Sequence, residues 1–202
     1  GFSEKNRENG LKQSAMGKIF YIMGKSASGK DRIYSLLLGR EELELKKMVL
    51  YTTRPIRAGE ENGREYYFTD EEQLEKFRIS GKLIESRSYD TVHGVWTYFT
   101  ADDGQIRPDG ADYLGIGTLE SYQKMKEYYG ADRVCPIYIQ VEDGERLQRA
   151  LLREKQQKNP KYAEMCRRFL ADQEDFSEEK IDESGIAIRF ENDDLDKCVE
   201  KI

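Results

Sequence analysis

Cysteine, proline, histidine and tryptophan are all scarce in this chain of 202 residues, at three, four, one and one. Cys135, Cys166 and Cys198 stand alone, with no C-x-x-C pair. An odd, scattered set supports neither a disulfide framework nor a thiolate zinc site, and it suits a reducing cytoplasm. With His93 as the sole histidine, a multi-histidine metal centre is excluded, and a Ser-His-Asp triad would have to use that one residue. No apolar run approaches the ~20 residues of a membrane span. Net charge is −6 and no basic block appears, which argues against nucleic acid as the main partner. There is no internal repeat and no low-complexity segment. The polar stretch 1–15 lacks the apolar core of a signal peptide, and Met16 is a candidate start.

What the chain does have is charge, 36% of residues, and enough length for one sizeable core with a small inserted lobe. Its most informative stretch runs from Ile19 to Asp31. Apolar residues 19–23 read as a buried strand; then come Gly24-Lys25-Ser26-Ala27-Ser28-Gly29-Lys30, and a helical pattern opens at Asp31. Strand, glycine loop and helix in that order are the context of a phosphate-binding P-loop. Backbone N–H groups turn inward around a phosphate, the helix N-terminus adds positive dipole, and Lys30 supplies a point charge. Asp31 stands where a Ser or Thr usually meets magnesium, so it is the candidate metal ligand.

Downstream the pattern predicts strands over 48–51, 66–68, 83–89 and 94–100, with a helix capped by Asp70 that ends near 79. Residues 54–100 thus read as an inserted mixed lobe. Strands follow over 112–116, 134–141 and 186–190. They alternate with helices over 118–129, 143–157 and 161–175 and a closing helix capped by Asp193. The core of 16–53 and 101–202 therefore reads as an α/β P-loop domain, a parallel sheet covered by helices on both faces, with a helical lid over about 145–168.

Arg54 and Arg57 lie three apart in a loop bounded by Pro55 and Gly59, with Tyr66 beyond. Two guanidinium forks and a phenol can clamp a second phosphate, beside the alternative of two solvated loop arginines. Arg149 and Arg153 share a helical face, and Arg168 comes from the next helix; their bland alternative is a face paired to Glu145 and Glu154.

The run Thr52-Thr53-Arg54-Pro55-x-Arg57-x-Gly59-Glu60-x-Asn62-Gly63-x-x-Tyr66-x-Phe68 resembles the acceptor-binding loop of the guanylate kinase family. The likeness extends to Leu83-Ile84-Glu85, the lid arginines and Asn192-Asp193-Asp194, over most of 17–202. It implies ATP and GMP as substrates with Mg²⁺, Arg54, Arg57 and Tyr66 on the GMP phosphate, and Glu85 on guanine. Arg149, Arg153 and Arg168 would close over ATP, and Asn192 is similar to the residue at the adenine.

Three departures from the family pattern stand out. Leu50 replaces a base-reading serine. Val92-His93-Gly94-Val95 replaces a stretch with a phenol and a hydroxyl, for which His93 or Thr97 would substitute. Gly115 and Gly117 replace two aspartates. The expected reaction is phosphoryl transfer from ATP to GMP; the rivals are a kinase for another phosphorylated acceptor and a guanylate-kinase-like interaction module.

Overall fold

A computed structural model of the chain describes residues 17–107 and 110–202. The polar stretch 1–15 and Met16 lie outside them.

The core sheet has five strands in the order β2 (Lys46–Lys47), β7 (Tyr113–Ile116), β1 (Ile19–Gly24), β8 (Val134–Gln140) and β9 (Arg189–Glu191), every pair parallel. A parallel sheet buried on both faces calls for continuous apolar strands, as β1 and β8 are. Alternation then sends side chains to opposite faces. Ile19, Tyr21 and Met23 pack into one cluster with Leu119, Tyr122 and Met125 of α3 (Leu119–Tyr129). Ile22 packs on the other side with Ile33 and Leu37 of α1 (Lys30–Leu38) and Val199 of the closing helix. Each such fully buried aliphatic side chain stabilises the fold by about 1.5–3 kcal/mol. Pro136 in β8 is tolerated because β9 begins alongside only at Tyr138, which leaves an open edge there.

The inserted lobe is a second sheet in the order β4 (Tyr67–Phe68), β3 (Tyr51–Thr52), β6 (Gly94–Ala101), β5 (Leu83–Thr91). One face packs Phe99 and Ala101 against Leu74 and Phe77 of α2 (Glu71–Ile79). Asp70 caps α2 by accepting from the Gln73 N–H, as expected.

The strand expected over 48–51 is not formed: of its residues only Tyr51 lies in a strand. Lys46–Lys47 joins the core sheet, Tyr51–Thr52 joins the small sheet, and Met48, Val49 and Leu50 carry the chain between them. These three apolar residues read as a strand because Met48 and Leu50 pack into the core at the crossing. The helical pair is α4 (Asp143–Lys155) and α5 (Tyr162–Asp175), capped at its start by Glu142, which accepts from the N–H groups of Gly144 and Glu145. A short α6 (Glu178–Glu183), unforeseen in the sequence, buries Ile181. The last helix α7 (Leu195–Lys201) is capped by Asp194 rather than Asp193. No helix among the described residues is long and apolar enough to cross a membrane.

Candidate active site

Between β1 and α1 the chain turns through Lys25 to Gly29. Gly29 has φ 84° and Ala27 φ 60°, so two residues in the left-handed region shape the loop. Gly suits that region; Ala27 bears strain of about 1–2 kcal/mol there. Asn192 is buried beneath the loop and its Nδ2 donates to the Ser28 carbonyl at 2.9 Å. The residue expected at the adenine therefore braces the P-loop backbone in this structure. The loop is also fastened to α5. The Ser26 N–H donates to Asp172 Oδ2 at 2.8 Å, and Lys25 Nζ donates to Gln173 Oε1 at 2.7 Å. Arg146, 1% exposed, donates to the Ser26 carbonyl and lies 3.7 Å from Asp172.

Lys30 and Asp31 open α1. Lys30 Nζ sits 3.6 Å from Asp31 Oδ2, and the Asp31 side chain is 86% exposed. Both border a 720 Å³ cleft with Ser26, Ala27, Arg153 and Arg168. Arg149 stands outside its lining: its Nε donates to Glu145, as the bland alternative foresaw, and its guanidinium also holds the Asn192 carbonyl. Arg168 is half exposed and 3.9 Å from Glu154.

In the inserted lobe, Arg54 is 4% exposed, with both arms of its fork on Glu60 at 2.9 Å and its guanidinium over the rings of Tyr66 and Phe68. The pairing with Arg54 holds the Glu60 carboxyl down at about 2. Glu60 also accepts from the Arg57 N–H, so one carboxylate shapes the loop that carries both arginines. Arg57 itself is exposed.

Strand register sets which residues face Arg54. Glu85 pairs with Thr100, and Arg87 with Tyr98, so these four share a face. Tyr98 packs edge-on against Tyr66 at 5.5 Å. Glu85 is buried, accepts from Thr100 Oγ1 at 3.2 Å, and lies 3.6 Å from Arg87 Nε. Burial pushes its carboxyl above the ordinary range, opposed by Arg87 and Thr100.

Two expected acceptor residues are not brought to this face. Thr97 pairs with Ser88 on the reverse side, its hydroxyl 2.9 Å from Ser88 Oγ. His93 stacks on Trp96 at the exposed hairpin tip. Alternation along β6 also turns Val95 to the Thr97 side.

Gly115 in β7 and Gly117 just past its end have a steric cause. A Cβ on Gly115 would lie 2.9 Å from the Tyr21 ring, and one on Gly117 would strike the Tyr21 hydroxyl and Ser121. Tyr21 fills the space above both, its hydroxyl 2.7 Å from Ser121 Oγ. Burial pushes that phenol up, opposed by its hydrogen bond with Ser121. No side chain larger than hydrogen fits at 115 while Tyr21 stays in place.

Sequence reasoning placed Glu60 in the acceptor loop without a role, and missed Arg87, Tyr98, Arg146, Asp172 and Tyr21. Arg87 was findable from strand alternation two residues past Glu85. Tyr21 announced itself only as the one hydroxyl in the apolar run of β1.

A five-stranded parallel sheet with its glycine loop and lysine between the first strand and first helix defines a P-loop nucleotide-binding protein. The family model described as guanylate kinase matches residues 16–202, and the chain belongs to the guanylate kinase family. It is 30% identical over 190 residues to a guanylate kinase of Porphyromonas gingivalis, covering 93% of this chain and 95% of that protein. One from Caldanaerobacter subterraneus is 27% identical over 187 residues, 92% of this chain and 84% of that protein. Among solved structures, guanylate kinase from Anaplasma phagocytophilum shares the fold. Its TM-score is 0.57 at 21% identity, over 92% of this chain and 82% of that one.

Proposed function

We propose that the chain transfers the γ-phosphoryl group of ATP to GMP, giving ADP and GDP, in the cytoplasm. The observation that carries this reading is the shared face of Arg54, Tyr66, Tyr98 and Glu85 in a lobe attached to an intact P-loop with Lys30. A kinase needs one anion seat for the donor and another for the acceptor, and an interaction module has no use for the first.

The acceptor phosphate oxygen is already anionic, so no general base is required. That oxygen forms a bond to the γ-phosphorus as the bond from γ-phosphorus to the β,γ-bridging oxygen breaks, and the electron pair leaves on ADP. Catalysis is then placement and charge neutralisation with water kept out. Arg54 and Arg57 would hold the acceptor phosphate, with Glu60 fixing the angle of the Arg54 fork. Lys30 would neutralise the transferring group, while Arg149, Arg153 and Arg168 would approach as the helical pair closes. Glu85, once ionised, would accept from guanine N1–H and the 2-amino group, a donor pair that adenine lacks.

Magnesium carried by ATP fits the donor set: Asp31 offers one exposed hard oxygen at the mouth of the P-loop, and phosphates and water supply the rest. No cluster of three metal-ligating side chains exists among the described residues, which suits an ion that arrives with nucleotide. When bound it would neutralise charge on the β- and γ-phosphates.

The test is ADP release with MgATP against GMP, AMP, CMP, UMP and a set of sugar phosphates. GMP should be the preferred acceptor. Turnover of a sugar phosphate or another nucleotide with none on GMP would overturn the acceptor assignment and leave a P-loop kinase. No turnover on any of them, with tight GMP binding, would favour the interaction module.

A further inference from the structure

Arg87 is a cation that the fold engages only through one loose ion pair. Among the described residues its side chain makes no hydrogen bond, and its Nε is buried without a hydrogen-bond partner. Its ion pair is a loose one, Nε to Glu85 Oε2 at 3.6 Å, and its side chain remains 30% exposed. It borders an open cleft with Thr118, Leu119, Glu120 and Gln123 at the start of α3. Glu85 and Arg87 are consecutive residues on one strand face, so their side chains emerge about 6.6 Å apart and in parallel.

A guanine held by Glu85 at N1–H and the 2-amino group exposes its O6 carbonyl on the adjoining edge. That carbonyl needs a donor once water is excluded. The residues that would have supplied hydroxyls do not. Leu50 has no donor and packs against the core, Val95 points to the other face, and the Thr97 hydroxyl is tied to Ser88 there. Thr100 already donates to Glu85. The next residue along the face is Arg87, and a guanidinium fork matches the paired O6 and N7 acceptors of guanine. Resting on the GMP reading above, we propose that Arg87 is a specificity-determining residue of the acceptor site, donating to guanine O6 and N7 beside Glu85. The pair also rejects adenine twice over. Adenine gives Glu85 no N1–H, and it sets a 6-amino donor against a guanidinium that can only donate.

The test is steady-state kinetics of the wild type, Arg87→Leu and Arg87→Lys with GMP, IMP and 6-thio-GMP, at saturating MgATP. IMP keeps O6 but lacks the 2-amino group; 6-thio-GMP keeps the amino group and replaces O6 by a poor acceptor. Arg87→Leu should raise the KM for GMP and IMP alike by about 10–100-fold and leave the KM for ATP unchanged. Its KM for 6-thio-GMP should rise several-fold less, because only the N7 contact is lost there, so the discrimination between oxygen and sulfur narrows. Arg87→Lys, which keeps a charge beside Glu85, should recover part of the loss. Unchanged KM values overturn the proposal. So does an equal rise for GMP and 6-thio-GMP, since a merely structural role would move both; melting curves of each variant verify folding. A wild type that turns over no GMP overturns the activity reading and this one together. That outcome is distinct because it needs no variant to appear.

Discussion

Glu85 sets function against stability. Its burial raises the carboxyl pKa above the ordinary range, so the folded protein binds its proton more readily than the unfolded chain. The favourable contribution is complete below the unfolded value and is lost as pH rises through the folded one. Base reading needs the opposite, an ionised carboxylate. Activity on GMP should therefore fall on the acid side with an inflection above that of an ordinary glutamate. Glu85→Gln should melt at a higher temperature than wild type, by a margin that grows from pH 5 to pH 8, while its preference for GMP over AMP narrows. Melts and kcat/KM across that range check both halves. An unchanged base preference removes Glu85 from the base site.

Tyr21 shows why one departure from the family pattern was visible in the sequence while its cause was not. Gly115 and Gly117 read as two lost carboxylates, and Asp31 as the candidate metal ligand. The space those side chains would need is filled from β1, some ninety residues away in sequence and next door in the sheet. Gly115→Ala should thus cost about 1–3 kcal/mol by overpacking. In a Tyr21→Val background the same change should cost little. A denaturation cycle over the four proteins measures the coupling; additive costs would mean that Tyr21 is not what keeps position 115 bare.

At the scale of elements, the parallel strands, the capped helices and the inserted hairpin were legible because each carries its own period and cap. Where two sheets share one apolar run the signal failed, and Met48, Val49 and Leu50 looked like a strand for being buried at a crossing. Tertiary fastening was equally hidden. Nothing local in α5 marks Asp172 as the residue whose carboxylate occupies the Ser26 N–H of the P-loop. The contact has a consequence for nucleotide binding. A negative charge held against the anion loop opposes an incoming triphosphate, and Arg146 only partly offsets it. Asp172→Asn removes the charge and keeps an oxygen acceptor. It should tighten a non-hydrolysable ATP analogue by about threefold to tenfold in calorimetry. Equal or weaker binding would mean that the carboxylate orders the loop for ATP.

For the whole molecule, the two sheets are separate hydrogen-bonded units joined where the chain crosses at 48–50 and returns after Ala101. The acceptor face belongs to one unit, and the P-loop with its helical pair to the other. Phosphoryl transfer with water excluded requires the two to close around both substrates. ATP alone should slow hydrogen exchange in α4 and α5, GMP alone in β3 to β6, and a linked adenosine–guanosine polyphosphate in both. That ligand at about a hundred times its Kd should add ~2.7 kcal/mol of stability. For a chain of this length the gain corresponds to a Tm rise of about 5–10 °C. Small-angle scattering should show the radius of gyration falling with the linked ligand and changing less with either nucleotide alone. A full rise in Tm with no change in radius would mean that the two units already stand in their working arrangement, and that the arginines of α4 and α5 reach the phosphates by side-chain motion alone.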